Sequence, residues 1–197
     1  MREYLEGIQK GAYRAGDLVS QIMIFSRNHK PQKRPTDIIP LIREVLKLLQ
    51  TTIPTHIAIK QNFPRRSAKI MADPTQIHQV LMNLCTNALH AMADKPGLLG
   101  ISVQEITLKS SAVTGLADGK YINLSISDTG HGMDKKTSER IFEPFFTTKE
   151  INKGTGMGLA VVHGIVQNHN GAITVESTLD KGTTFHLYFP VAKGETE

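Results

Sequence analysis

Apolar positions recur with two different periods along this chain, and the changes of period divide it into elements. In residues 3–27, Leu5, Ile8, Ala12, Ala15, Val19 and Ile22 recur at alternating steps of three and four, and Leu18 and Phe25 widen the stripe. This period predicts a long helix with a narrow seam of the kind used in helix–helix association. The seam is too apolar for water, so it implies dimerisation or another packing partner. Pro31 and Pro35, set among charged and polar residues, predict a hinge-like linker over 31–36. A second helix is predicted over 37–51, with Ile38, Leu41, Ile42, Val45 and Leu48 on one side. Strands follow at 57–62, with Ile57 and Ile59 sharing a face, and at 68–71. Asp73-Pro74 suits the start of a third helix, with Gln76 placed as in a capping box, and this helix runs to about Met92.

Residues 100–108 and 120–127 alternate as paired strands, with Ile122, Leu124 and Ile126 on one face. A helix over 156–168 and a hairpin of 173–177 with 183–190 complete the pattern, turning at Asp180-Lys181-Gly182. Strands and helices mix without regular alternation. The fold class read from this is α+β, a sheet with helices on one face, rather than a doubly wound fold.

Composition narrows the function classes. The 197 residues are 40% hydrophobic and 21% charged, an ordinary balance for one domain with an appendage. The net charge of +5 has no aromatic interleaving beside its basic residues, so no nucleic-acid partner is expected. The single cysteine, Cys85, excludes an internal disulfide framework and reads as a buried thiol. No apolar run is long enough to span a membrane and no signal peptide follows Arg2 and Glu3. The expectation is a cytoplasmic segment without membrane contact of its own.

The chemistry lies in an ordered set of motifs. Asn83 and Asn87 are four residues apart and point the same way from a helix. Their carboxamide oxygens are hard, neutral ligands of the kind that suits Mg²⁺. Asp128-Thr129-Gly130-His131-Gly132-Met133 follows a strand. Gly154-Thr155-Gly156-Met157-Gly158-Leu159 precedes a helix, where exposed N–H groups and the helix dipole favour phosphate. Gly182-Thr183-Thr184-Phe185 closes the series.

In this order the motifs resemble the N, G1, G2 and G3 boxes of the ATP-binding domain of sensor histidine kinases, in the GHKL superfamily. The segment Ile141 to Lys149 resembles the F box. The resemblance covers residues 37–190 and implies a Bergerat-type two-layer sandwich. It assigns Asn87 to the metal, Asn83 to phosphates or hydrated metal, and Asp128 to the adenine amine. Thr183 would support that aspartate, Gly130 and Gly132 would let the backbone approach the base, and Gly154 to Leu159 would cradle phosphate. His90 and Lys149 are candidate phosphate contacts. Residues 147–153 resemble a short ATP lid anchored by Phe145 and Phe146.

Hydrolysing ATPases of the superfamily carry a glutamate at the position of Asn83, and a carboxamide is no general base at neutral pH. The expected activity is therefore a protein-histidine kinase that uses ATP and Mg²⁺. Residues 3–27 resemble the second helix of a dimerisation and phosphoacceptor hairpin, particularly Ala12 to Val19 and Ile24 to Arg27. This organisation implies domains at 1–30 and 37–192, a tail at 193–197, a homodimer through the complete hairpin, an acceptor histidine outside the chain, and a response regulator as partner. Three other readings share part of the pattern: an anti-sigma-type serine kinase, a hydrolysing ATPase, and a nucleotide-gated module without catalysis.

Overall fold

The computed structural model describes residues 32–50, 52–93, 95–109, 113–149 and 155–192. The helix predicted over 3–27 and the tail at 193–197 lie outside the described residues. The elements run β1 (Arg34–Asp37), α1 (Ile38–Leu49), β2 (Ile57–Asn62), β3 (Lys69–Ala72), α2 (Pro74–Ala91), β4 (Gly97–Leu108), β5 (Gly119–Asp128), α3 (Lys135–Ser138), α4 (Gly158–Asn168), β6 (Ala172–Thr178) and β7 (Gly182–Pro190). Among the described residues, no helix is long and apolar enough to cross a membrane.

Five strands form one sheet in the order β2-β4-β5-β7-β6. The β2–β4 pair is parallel and the other pairs are antiparallel, so the sheet is mixed. Register aligns the apolar positions into rows: Ile101, Ile126, Phe185 and Val175 in one, and Val103, Leu124, Leu187 and Ile173 in the next. The alternate positions carry Ser102, Ser125 and His186 on the opposite face. This alternation gives a sheet covered on one side only, as the sequence pattern predicts. Helices α1, α2 and α4 share a single core with the apolar rows. Each fully buried Ile or Leu there contributes about 1.5–3 kcal/mol.

Helix α1 departs from its predicted face. Its stripe consists of Ile38, Ile39, Ile42, Val45, Leu46 and Leu49, whereas Leu48 is 55% exposed. At 3.6 residues per turn, Leu48 stands about 120° from the centre of that stripe. The predicted linker also differs. Arg34–Asp37 pairs antiparallel with β3, Gln32 N–H donates to Asp73 Oδ2 (3.1 Å), and Lys33 Nζ donates to Asn168 O. Residues 32–37 are therefore bound to the domain instead of spanning freely to it. Four residues are too few for an alternation to be visible, and prolines are compatible with an edge strand.

The start of α2 is capped by Asp73, whose Oδ1 accepts from Thr75 N–H (2.9 Å), with Pro74 in the first turn. The predicted capping box does not close. Gln76 Oε1 is buried without a hydrogen-bond partner, because the N–H of Asp73 goes to His169 Nε2 (3.1 Å). His169 is only 3% exposed and its Nδ1–H donates to Ile165 O (2.8 Å). This neutral imidazole joins the end of α4 to the beginning of α2.

Burial, opposed by the bond to Ile165, holds His169 below the usual histidine range. Below about pH 6.5 the unfolded chain then binds more protons than the folded one. The stabilisation is complete above the unfolded pKa and is lost as pH falls towards the folded one. His169→Gln is expected to destabilise the protein by about 1–3 kcal/mol at pH 7.5, from the lost backbone partners. Urea denaturation at descending pH should show this difference shrinking, since only the native chain pays to protonate the site.

Candidate functional site

The asparagine-bearing helix forms one wall of the site, and two of the glycine-rich motifs, the G1 and G2 turns, touch it. Asn83 Nδ2 donates to Gly158 O (3.4 Å) at the first residue of α4. Asn83 Oδ1 also lies beside the G2 turn, 3.7 Å from where a Cβ on Gly158 would fall. Asn87 lies one turn on, half-buried on the same helix. At the far end, His131 N–H donates to Ala91 O (3.1 Å), bringing the G1 turn onto the last turn of α2. His90 lies between these points and meets Lys149, whose Nζ is 3.0 Å from His90 Nδ1. The structure thus brings Asn83, Asn87, His90, Lys149, Asp128, Gly130, Gly132, Thr155, Gly156, Met157, Gly158, Leu159 and Thr183 into one region. Gly154 lies outside the described residues.

Asp128 ends β5 and is 8% exposed. Its Oδ1 accepts from Gly130 N–H (2.8 Å), and the backbone of Thr183 also donates to the carboxylate. Burial raises its pKa above the usual carboxylate value, against the opposing effects of Gly130, Thr183 and His131. Thr183 supports Asp128 through its main chain, since its hydroxyl is paired with Ser177 Oγ (2.9 Å). Sequence reasoning gave His131 no role, yet its Nδ1–H donates to Gly132 O (2.7 Å) across the turn. No spacing signal marks such a contact.

The G1 glycines also have a cause within the protein, beside the expected approach to a base. A Cβ on Gly130 would stand 2.5 Å from Ala91 O, and one on Gly132, where φ is +62°, would stand 1.9 Å from Thr178 O. Both glycines let protein backbones meet: the turn on α2, and the turn on the β6–β7 hairpin.

The F-box anchors also differ from expectation. Phe142 packs at a tilt against His163 with centroids 5.2 Å apart, and Phe146 lies 4.4 Å beneath the Arg140 guanidinium. Phe145 is instead 73% exposed, with φ of 67°, and its backbone lies where a Cβ on Gly156 would fall, at 2.4 Å. Phe145 and Gly156 therefore pin together the two ends of the predicted lid. Beyond them α4 begins at Met157 without a side-chain cap bond and without an acidic residue in its first turn. Its leading N–H groups are suited to an anion.

The donor set has a clear metal chemistry. Among the described residues, no group of three or more His, Cys, Asp or Glu could hold a metal. A metal at this site would rest on carboxamide oxygen and ligand oxygens, which fits Mg²⁺ and not a softer ion.

This arrangement has known counterparts. Residues 72–193 match the family described as histidine kinase-, DNA gyrase B-, and HSP90-like ATPase. The chain belongs to this ATPase family. Within the family it is 35% identical over 93% of its length to the sensor kinase CckA of Brucella abortus, covering 20% of that protein. It is 35% identical over 88% of its length to sporulation kinase A of Bacillus subtilis, covering 26% of it. The chain thus spans well under half the length of these relatives. Among solved structures, the catalytic domain of histidine kinase ThkA superposes with a TM-score of 0.67 at 29% identity, over 82% of this chain and 99% of that one. Full-length ShkA in complex with AMPPNP gives 0.76 at 26% identity, over 99% of this chain and 40% of that one. The fold is that of histidine kinase catalytic domains, an α+β sandwich with helices on one face of a mixed sheet.

Asp128→Asn separates binding from stability. Removing the charge while keeping an acceptor for Gly130 should leave the melting temperature at pH 7 unchanged or raised, because burial disfavours the carboxylate. The raised pKa places the native chain's disadvantage above it, so the two proteins converge at low pH. Affinity for an adenine nucleotide should drop by about 1.5–3 kcal/mol through loss of a charge-assisted bond. Gly132→Ala should do the reverse of a neutral change: Thr178 must move, and thermal unfolding should register a loss of more than about 1 kcal/mol.

Proposed function

We propose that this chain is the ATP-binding catalytic part of a two-component sensor histidine kinase. It holds ATP for transfer of the γ-phosphoryl group to a histidine outside the described residues, and thence to an aspartate of a response regulator. The observation that carries the reading is the wall itself. Helix α2 presents two carboxamides to the phosphate end and contains no Asp or Glu. It therefore lacks the carboxylate that would activate water from the position of Asn83, where a carboxamide cannot take a proton at neutral pH. The site can retain ATP until another nucleophile is brought in line, which suits transfer and not hydrolysis.

The roles follow from position. Asp128 accepts the adenine amine, at the cost of its own desolvation. Gly130 N–H and the Thr183 backbone keep its carboxylate oriented. Thr155 to Leu159 present the start of α4 to the phosphates, and Asn83 holds that start against α2. Asn87 would hold Mg²⁺, with Asn83 Oδ1 on the phosphates or the hydrated ion. Bound magnesium would supply charge neutralisation across the phosphate oxygens. Lys149 and His90 stand nearest the end where the transferred group lies.

The response-regulator partner draws support from a relative: histidine kinase ThkA has been solved in complex with response regulator protein TrrA. That chain superposes with a TM-score of 0.74 at 25% identity, over 98% of this chain and 52% of that one. The apolar seam of residues 3–27, outside the described residues, is the proposed dimerisation element. The reading places the chain in the cytoplasm, with the ATP.

Calorimetric titration with a non-hydrolysable ATP analogue tests this directly. Binding should require Mg²⁺ for full affinity, and Asn87→Ala should weaken the magnesium-dependent complex by roughly tenfold or more, about 1.4 kcal/mol. With γ-labelled ATP, the described residues should acquire no stable label. Absence of binding by the native chain, or rapid phosphate release that survives Asn83→Ala, would defeat the proposal.

A further inference from the structure

The contact between Lys149 and His90 is a second, independent feature of the phosphate end. The two side chains come from segments 59 residues apart and meet at 3.0 Å with no carboxylate between them. An ammonium has only donors, so His90 Nδ1 must accept. That fixes the neutral tautomer with its proton on Nε2, leaving one further donor on the ring. The residues before Lys149 are secured locally: Lys149 N–H donates to Thr147 Oγ1 (3.1 Å), and Phe146 packs under Arg140. The direction of the ammonium therefore depends on what holds Nζ.

We propose that His90 is a positioning residue for Lys149, holding its ammonium at the phosphate end of the site before nucleotide arrives. The proposal rests on the ATP-site reading and adds a division of labour to it. Lys149 touches the terminal phosphate; His90 acts through Lys149. Partial burial, and then the charge of Lys149, keep His90 below the usual histidine range, while partial burial also lowers Lys149. An uncharged imidazole is the form able to accept. A cation placed beforehand costs less ordering when the ligand binds than one recruited from solvent. A lysine or arginine at position 90 would repel Lys149 instead of seating it, so the imidazole is not a weaker copy of a basic residue there.

Two variants separate this from a plain structural role. His90→Asn retains an acceptor near the position of Nδ1, and His90→Leu removes it. In nucleotide-free protein, amide exchange over residues 145–149 should quicken several-fold in His90→Leu and stay near native in His90→Asn. Equal exchange in all three proteins would overturn the proposal. In the second arm, Lys149→Met should weaken a non-hydrolysable ATP analogue by roughly tenfold while ADP is little changed, as loss of one charge-assisted contact requires. His90→Leu should weaken the ATP analogue several-fold on the native background and add nothing on the Lys149→Met background. Additive losses would mean that His90 meets phosphate itself, and would overturn the proposal. Failure of the native chain to bind either nucleotide would defeat the ATP reading, and the exchange arm would still decide whether His90 holds Lys149.

Discussion

The hydrogen bond from His131 N–H to Ala91 O joins the G1 turn to the last turn of α2, and it exists only because Gly130 presents no side chain to Ala91. The same helix bonds the start of α4 through Asn83 and meets the F-box segment through His90. Three segments distant in sequence thus take their positions from one rigid element. Ile77, Val80, Leu81, Leu84 and Cys85 seal the helix into the core, so the geometry of the site inherits the stiffness of close packing. The proposed transfer by positioning would need this, because small displacements of phosphate contacts are costly.

Two buried ionisable groups show how differently the domain treats function and structure. His169 is neutral and its two ring nitrogens are both satisfied by backbone, so its burial stabilises the joint between α2 and α4. Asp128 relies on two backbone hydrogen bonds and the neighbouring His131 to support a charge that burial disfavours. A residue selected for packing would not hold a carboxylate there; a desolvated acceptor with a specific orientation fits the base recognition proposed for it. Cys85, by contrast, is buried among apolar side chains with its thiol pushed up to about 12, and takes no part in the site.

Much of the architecture was legible because burial imposes a period. The alternation of Ile122, Leu124 and Ile126, the helix opened by Asp73-Pro74, and the hairpin around Asp180 are local patterns with local causes. The predicted set for α1 was nearly right, and Leu48 was misplaced because a stripe drawn from spacing alone has two possible margins. The strand Arg34–Asp37 was illegible, since its pairing with Lys69–Ala72 leaves no periodic trace in four residues. Gln76 suited a capping box until His169, 96 residues away from Asp73, supplied the partner instead.

For the site, the sequence by itself determined the chemical inventory: paired carboxamides one turn apart, a carboxylate before a glycine turn, and a glycine-rich helix start. Residue type and short spacing suffice for these, because turns and helix faces are set within a few residues. Only the tertiary structure decided which groups meet. It assigned Gly130 to Ala91, Gly132 to Thr178, and Phe145 to Gly156. It gave the hydroxyl of Thr183 to Ser177 and the ammonium of Lys149 to His90. The physical reason is that these partners are chosen by the packing of α2 against the sheet and α4, a long-range arrangement in which steric exclusion and available hydrogen-bond partners, not local propensity, make the selection.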